Sequence, residues 1–417
     1  MTLTVLTDDQ IRSVLENLTL GELNGFRDAL VSALREYSAS SGKNPDEPTS
    51  VHQPERISVH SAATGATTLF MPSCNSAGHG VKVVSLTSAT STTTTTQAAA
   101  PGAAAKPTIR PTGAITLFTP HGSPLGILHA SSLTAFRTAL ASLTPIQQRA
   151  PPSAAGLRLV LFGCGEQAYW HARLTLLACS SDPGRPGVES VVFVNRRESP
   201  ACGEIWARFE KLKARGSGDG GSGSGQSVAE REGWGGCGVS VLTPEGEGEG
   251  YKGKWEGALR EADVVVCCTP STKALFDTAV LDGDKTKGKL VVAIGSYTPE
   301  MRELPAELVE RSLGKGDGDG ETGVIVVDTR EGALKEAGEL IAAGARPEQL
   351  IELGEIATLA SEDNTMAGSG DHGLAQRLQK GNVIYKSVGL GLMDLSVGLH
   401  IVEFAKQKGV GTHVQGF

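Results

Sequence analysis

Leu157-Arg158-Leu159-Val160-Leu161-Phe162-Gly163-Cys164-Gly165-Glu166-Gln167-Ala168 is the stretch that decides the fold. A strand-like run, interrupted only by Arg158, leads into Gly-x-Gly-x-x-Ala, and the helix-like sequence QAYWHARLTLLA follows at once. A pyrophosphate needs this order. Gly163 permits a tight turn out of the strand, and Gly165 lets the backbone approach the phosphates. Ala168 keeps the helix close to its strand, so that the anion sits at the helix N-terminus. A lone Gly-x-Gly-x-x-Ala is a weak signal; the flanking strand and helix are what make it specific.

Further along, the runs SVVFVN, VSVL, ADVVVCCT, KLVVAIGS and GVIVVDT are continuously apolar, as parallel strands covered on both faces are. Residues 155–382 are therefore expected to form an α/β, doubly wound Rossmann domain that binds NAD(P). Its second strand ends Phe193-Val194-Asn195-Arg196-Arg197. No carboxylate stands there for the ribose 2′-hydroxyl of NAD, and two arginines suit a 2′-phosphate. NADP(H) is expected over NAD(H), with Gly163, Gly165, Gln167, Ala168, Asn195, Arg196 and Arg197 as contacts. The competing reading of the arginines is a solvated basic turn.

The first 150 residues have a different rhythm. Thr7 with Gln10 and Thr19 with Glu22 each fit a capping box, predicting two short amphipathic helices. Leu23, Phe26, Leu30, Val31 and Leu34 share one face of the second. The runs RISVHSA, ATTLFM, GVKVVSL, GAITLF and PLGIL then predict a small sheet, followed by a helix over Ser131–Leu143 and a linker near Pro151 and Pro152. This smaller α/β domain is expected to be completed by residues 383–417, whose last part reads as an amphipathic helix. Three low-complexity inserts interrupt the chain. The Thr/Ala-rich one, at about 87–108, reads as disordered, and the Gly-rich ones at about 214–226 and 314–323 read as lengthened loops.

At 417 residues the chain exceeds what one core normally absorbs. A net charge of -8 argues against nucleic-acid and anionic-membrane partners. Seven scattered cysteines, an odd number, argue against a disulfide framework. With no leader-like or membrane-spanning run visible, a cytoplasmic setting is expected. The histidines show no metal-ligand spacing, so no metal is expected. His171 reads as a packing or capping residue, and Cys267-Cys268 as small apolar filling. Three cations break apolar patterns instead: Arg56, Lys82 and Arg137. Each is compatible with a structural ion pair, and together they are compatible with a pocket for a small carboxylate.

The segments ATTLFMP, GVKVVS, PLGILHASSLTAFRTALAS, LVLFGCGEQAYWHA, VFVNRR, ADVVVCCTPST, AIGSYTPEMREL, VVDTREGALKEAGEL, ELGEI and YKSVGLGLMD follow one another as they do in the ornithine cyclodeaminase/mu-crystallin family, which the sequence resembles over nearly its whole length outside the inserts. The resemblance implies a homodimer whose first domain makes the subunit interface and the pocket for a small amino or imino acid. It makes Arg56, Lys82 and Arg137 substrate-binding residues, with Arg137 on the carboxylate. It further places Thr134 and Thr138 near the cofactor phosphates, and Thr269, Pro270 and Gly295 beside the nicotinamide. One position departs from the cyclodeaminases, which carry an aspartate two residues before the proline of the segment IGSYTPE. Here it is Tyr297, a phenol that keeps its proton at neutral pH. The implied activity is an NAD(P)H-dependent reduction of cyclic ketimines such as pyrroline-2-carboxylate or piperideine-2-carboxylate. The alternatives are an ornithine cyclodeaminase or amino-acid dehydrogenase, and a non-catalytic, NADPH-dependent ligand-binding protein of mu-crystallin type.

Overall fold

The computed structural model describes residues 2–40, 50–87, 110–149, 156–182, 184, 186–215, 225–281, 288–295, 298–314, 323–362 and 372–417. The Thr/Ala-rich insert, most of both Gly-rich inserts, the Pro151–Pro152 linker and Tyr297 lie outside the described residues. The chain divides into two units. One comprises Met1–Thr19, Asp28–Arg137 and Leu390–Phe417; the other comprises Leu20–Arg27 and Thr138–Gly389.

The first unit is built on a seven-stranded sheet, in the order Thr412–Gln415, Thr2–Leu6, Pro124–His129, Arg110–Phe118, Gly78–Thr87, Thr67–Asn75, Ile57–His60. Only Thr2–Leu6 and Pro124–His129 pair parallel; the other neighbours are antiparallel. Register fixes the faces. Lys82 lies in one row with Met71 and Ile115, both buried, whereas Val83 shares the opposite face with Phe70 and Ile57. The helix Gly391–Lys408 packs on the Lys82 face, where missing side-chain carbons bring the backbones close. A Cβ on Gly398 would meet Leu117 at 3.1 Å, and one on Gly80 would meet Leu395 at 3.1 Å. At the start of the unit, Thr7 and Gln10 form both halves of the predicted capping box before the helix Asp8–Glu16. The next helix is not short: it runs from Leu20 to Ser40.

The second unit carries an eight-stranded sheet in the order Gly238–Leu242, Val188–Val194, Leu157–Phe162, Val264–Cys267, Leu290–Ala293, Val383–Lys386, Val324–Val327, Leu350–Glu352. Every neighbouring pair is parallel. All residues of its four central strands from Val264 to Lys386 are buried, which is why those segments read as unbroken apolar runs. Strand order reverses between Leu157–Phe162 and Val264–Cys267, the switch point where such sheets take their ligands.

Two boundaries differ from expectation. Val383–Lys386 belongs to this parallel sheet, so the first unit resumes at Leu390 rather than at 383. A four-residue strand ending in lysine carries too little pattern to be read, and this lysine is buried in an ion pair with Glu339. The other division falls between Arg137 and Thr138, not near 150. The helix Ala130–Gln148 is continuous across it, so no break in composition marks the place. Among the described residues, no helix is long and apolar enough to cross a membrane.

Candidate active site

Lys82 projects from the sheet of the first unit into a buried charge cluster. Its Nζ donates to Thr134 Oγ1 at 2.7 Å and to Asp394 Oδ1 at 3.1 Å. Arg137 meets the same carboxylate, Nε to Oδ1 at 3.2 Å and Nη2 to Oδ2 at 3.4 Å. Thr134 and Arg137 are three residues apart on one helix, so they face the same way. Lys82 is 3 % exposed and Asp394 1 %, so these charges interact with little screening by water. Burial drives the Lys82 ammonium down to about 8; Asp394 opposes the shift, while Arg137 and Arg56 reinforce it. The lysine is therefore mostly charged at neutral pH yet close to titrating, as a proton donor requires. Among the described residues, the third N–H-bearing arm of Arg137, Nη1, donates to the Met393 thioether at 3.4 Å, a weak acceptor, so the guanidinium keeps capacity for a stronger one.

In the second unit, Gly163 adopts φ +107, a conformation that favours glycine, and a Cβ there would lie 3.2 Å from Cys268 O. Gly165 is the N-cap of the helix Glu166–Ser180, and no side chain caps the helix. A Cβ on Gly165 would meet nothing within 4 Å. Ala168 is fully buried. The Gln167 amide oxygen is buried without a hydrogen-bond partner. An uncapped helix start with open space over its glycine fits a dinucleotide pyrophosphate, which the backbone N–H groups of Gly165 and Gln167 would hold.

Asn195 holds the next turn closed, its Nδ2 donating to Arg197 O at 2.8 Å. Arg196 and Arg197 are exposed. The nearby carboxylate of Glu198 is engaged by the Thr243 hydroxyl at 2.8 Å. At the ends of the two strands beyond the switch point, Thr269 N and Gly295 N both donate to Glu303, at 2.7 and 2.6 Å. Pro270 is exposed next to Thr269. His171 is buried in the role expected of it, Nε2 on Ser142 Oγ at 2.9 Å and Nδ1 on Gln167 O at 2.7 Å, with burial pushing it down to about 4.

The structure thus joins Lys82 and Arg137 through one carboxylate and Thr134 to them through Lys82, with Arg56 near enough to be felt by Lys82. Thr134 does not suit a phosphate, because its one O–H is already donated to Ala130 O at 2.5 Å while its oxygen accepts from Lys82. Thr138 is buried, its carbonyl accepting from Ser142. Two residues escaped the sequence reading, Asp394 and Glu303. For Asp394 a signal existed: it is the one charged residue within GLGLMDLSVGL. Among the described residues, no group of three or more metal-ligating side chains forms.

No family model matches the chain. It is 27% identical over 299 residues to a Delta(1)-pyrroline-2-carboxylate reductase of Bacillus cereus, covering 70% of this chain and 71% of the relative. It is 30% identical over 138 residues to the ketimine reductase mu-crystallin of Macropus fuliginosus, covering 33% and 34%. Its architecture is similar to that of the Thermococcus litoralis Delta(1)-pyrroline-2-carboxylate reductase solved with NADH and L-proline. The TM-score is 0.64 at 18% identity, over 99% of this chain and 100% of that one.

Proposed function

We infer, for a chain that belongs to the ornithine cyclodeaminase/mu-crystallin family, an NAD(P)H-dependent reduction of small cyclic imino acids. The observation that carries this reading is the buried lysine near neutrality, sharing one carboxylate with an arginine that keeps donor capacity. Arg137, with Arg56 as a second cation, binds the substrate carboxylate and orients the C=N bond. A reduced nicotinamide, when bound, supplies the hydride that saturates the carbon. Lys82 gives its proton to the nitrogen, which becomes the secondary amine of the ring, and Asp394 holds the lysine in place while it recovers a proton from solvent. Pyrroline-2-carboxylate and piperideine-2-carboxylate have the required features: one carboxylate beside one C=N bond.

Exposed Arg196 and Arg197, with Glu198 turned to Thr243, favour NADPH over NADH. A homodimer through the sheet of the first unit is supported by its outer face, where Ile57, Val59, Phe70 and Ile127 are exposed together. The free cysteines and acidic charge agree with a cytoplasmic setting. Cyclodeamination of ornithine is disfavoured by Tyr297. A ligand-binding role without catalysis is disfavoured by two buried cations with Arg56 near them, which a merely binding site need not hold against their desolvation.

The test is NADPH oxidation by the purified protein with each imine, beside NADH, beside ornithine with NAD, and beside the Arg137→Ala variant. Imine-dependent oxidation that the variant loses is the expected result. Ammonia released from ornithine without imine turnover would replace this reading by cyclodeamination. NADPH binding with every assay silent would replace it by the non-catalytic role.

A further inference from the structure

In the second unit the turns at Thr269 and Gly295 leave two adjacent parallel strands, Val264–Cys267 and Leu290–Ala293. Glu303, fully buried, stands between them. Its Oε1 accepts from Thr269 N at 2.7 Å and Thr269 Oγ1 at 3.2 Å, and its Oε2 from Gly295 N at 2.6 Å. The Glu303 carbonyl accepts in turn from Leu275 N at 2.9 Å, tying the loop after Thr269 to the same segment. A Cβ on Gly295 would lie 2.1 Å from Thr269 O and 2.7 Å from the Glu303 carboxylate, so only glycine lets these groups meet. Behind Glu303, Lys386 Nζ pairs with Glu339 Oε1 at 3.1 Å, both fully buried. Cys267 and Cys268 are the other titratable groups facing it.

Lys386, the cation felt by Glu303, is already paired with Glu339, so among the described residues Glu303 is the surplus anion. A buried surplus charge is expensive to keep unless its form is needed. Here each oxygen accepts from a backbone N–H. A neutral carboxyl or an amide would turn a donor toward a donor and release one of the two turns.

We propose that Glu303 is a positioning residue of the cofactor site, its ionised carboxylate holding the turns at Thr269 and Gly295 in the arrangement that receives the nicotinamide end of the dinucleotide. The proposal rests on the nicotinamide reading given above. Burial pushes this carboxyl up to about 7, against Lys386 and the two backbone N–H groups. Protonation just below neutrality therefore loosens the turns and weakens binding of the nicotinamide end alone.

The experiment compares two probes on the full-length protein by direct titration: NADPH, and 2′-phospho-ADP-ribose, which lacks the nicotinamide and cancels the titration of the 2′-phosphate. Glu303→Gln is expected to weaken NADPH about tenfold or more and the fragment less than about twofold. In the unmodified protein, the ratio of the two dissociation constants should rise as pH falls from about 8 to about 6. That arm decides the matter if the variant does not fold. Equal weakening of both probes would make Glu303 merely structural. An unaltered NADPH affinity, or a ratio that ignores pH where the variant cannot be made, would also overturn the proposal. A wild-type protein that binds only NADH is titrated with NADH and ADP-ribose as the pair instead; one that binds none of these would remove the cofactor reading itself, and this inference with it.

Discussion

The two units carry buried charge clusters of opposite excess. In the first, Lys82 and Arg137 share the single carboxylate of Asp394; in the second, Glu303 and Glu339 share the single ammonium of Lys386. Burial moves the surplus members toward neutrality from opposite sides, Lys82 down to about 8 and Glu303 up to about 7. The comparison teaches that matched pairs maintain a fold, whereas a buried charge left over points to something else that must be held. On the proposed function, that is a substrate carboxylate and a proton in the cation-rich cluster, and the backbone of two turns in the anion-rich one.

The comparison breaks most visibly at Arg137. If Arg137 binds the substrate carboxylate as proposed, its replacement by alanine removes those charge-assisted hydrogen bonds, and kcat/KM for imine reduction should fall about a thousandfold. Steady-state kinetics read this, and a loss under tenfold would place the carboxylate elsewhere. Asp394→Asn should lower stability by about 3–5 kcal/mol in urea denaturation, because it strands two buried cations. Lys82→Met added to Asp394→Asn should restore part of that stability while leaving the protein inactive. The smallest effect is expected at the surface. Arg196→Ala with Arg197→Ala should reduce the preference for NADPH over NADH about tenfold without altering the melting temperature, since both side chains are exposed. An unchanged preference would mean the arginines are only a solvated turn.

What could be read in advance was local. Gly163–Ala168, the apolar runs of the central strands and the Thr7 capping box each declare themselves within about a dozen residues, because hydrogen bonding along a turn or a strand is set by neighbours. The cations at Lys82 and Arg137 were legible as violations of pattern. Their shared partner was not, since Asp394 lies 312 residues from Lys82 and 257 from Arg137 along the chain. Lys386 was hidden for the same reason: the carboxylate it pairs with, Glu339, lies 47 residues away along the chain. Glu303 resembled any acidic residue of an exposed turn until the backbone amides of Thr269 and Gly295 were seen to converge on it.

The most direct test of the account is the pH profile of kcat/KM for NADPH-dependent reduction of pyrroline-2-carboxylate, taken from about pH 6 to about pH 10 on the wild-type protein and on Lys82→Met. Reduction needs the charged lysine, so the wild-type rate should fall as pH rises through about 8, by tenfold per unit beyond it, and the variant should lose both the rate and this limb. A variant that keeps the wild-type rate and the same alkaline limb would contradict the assignment of Lys82 as proton donor.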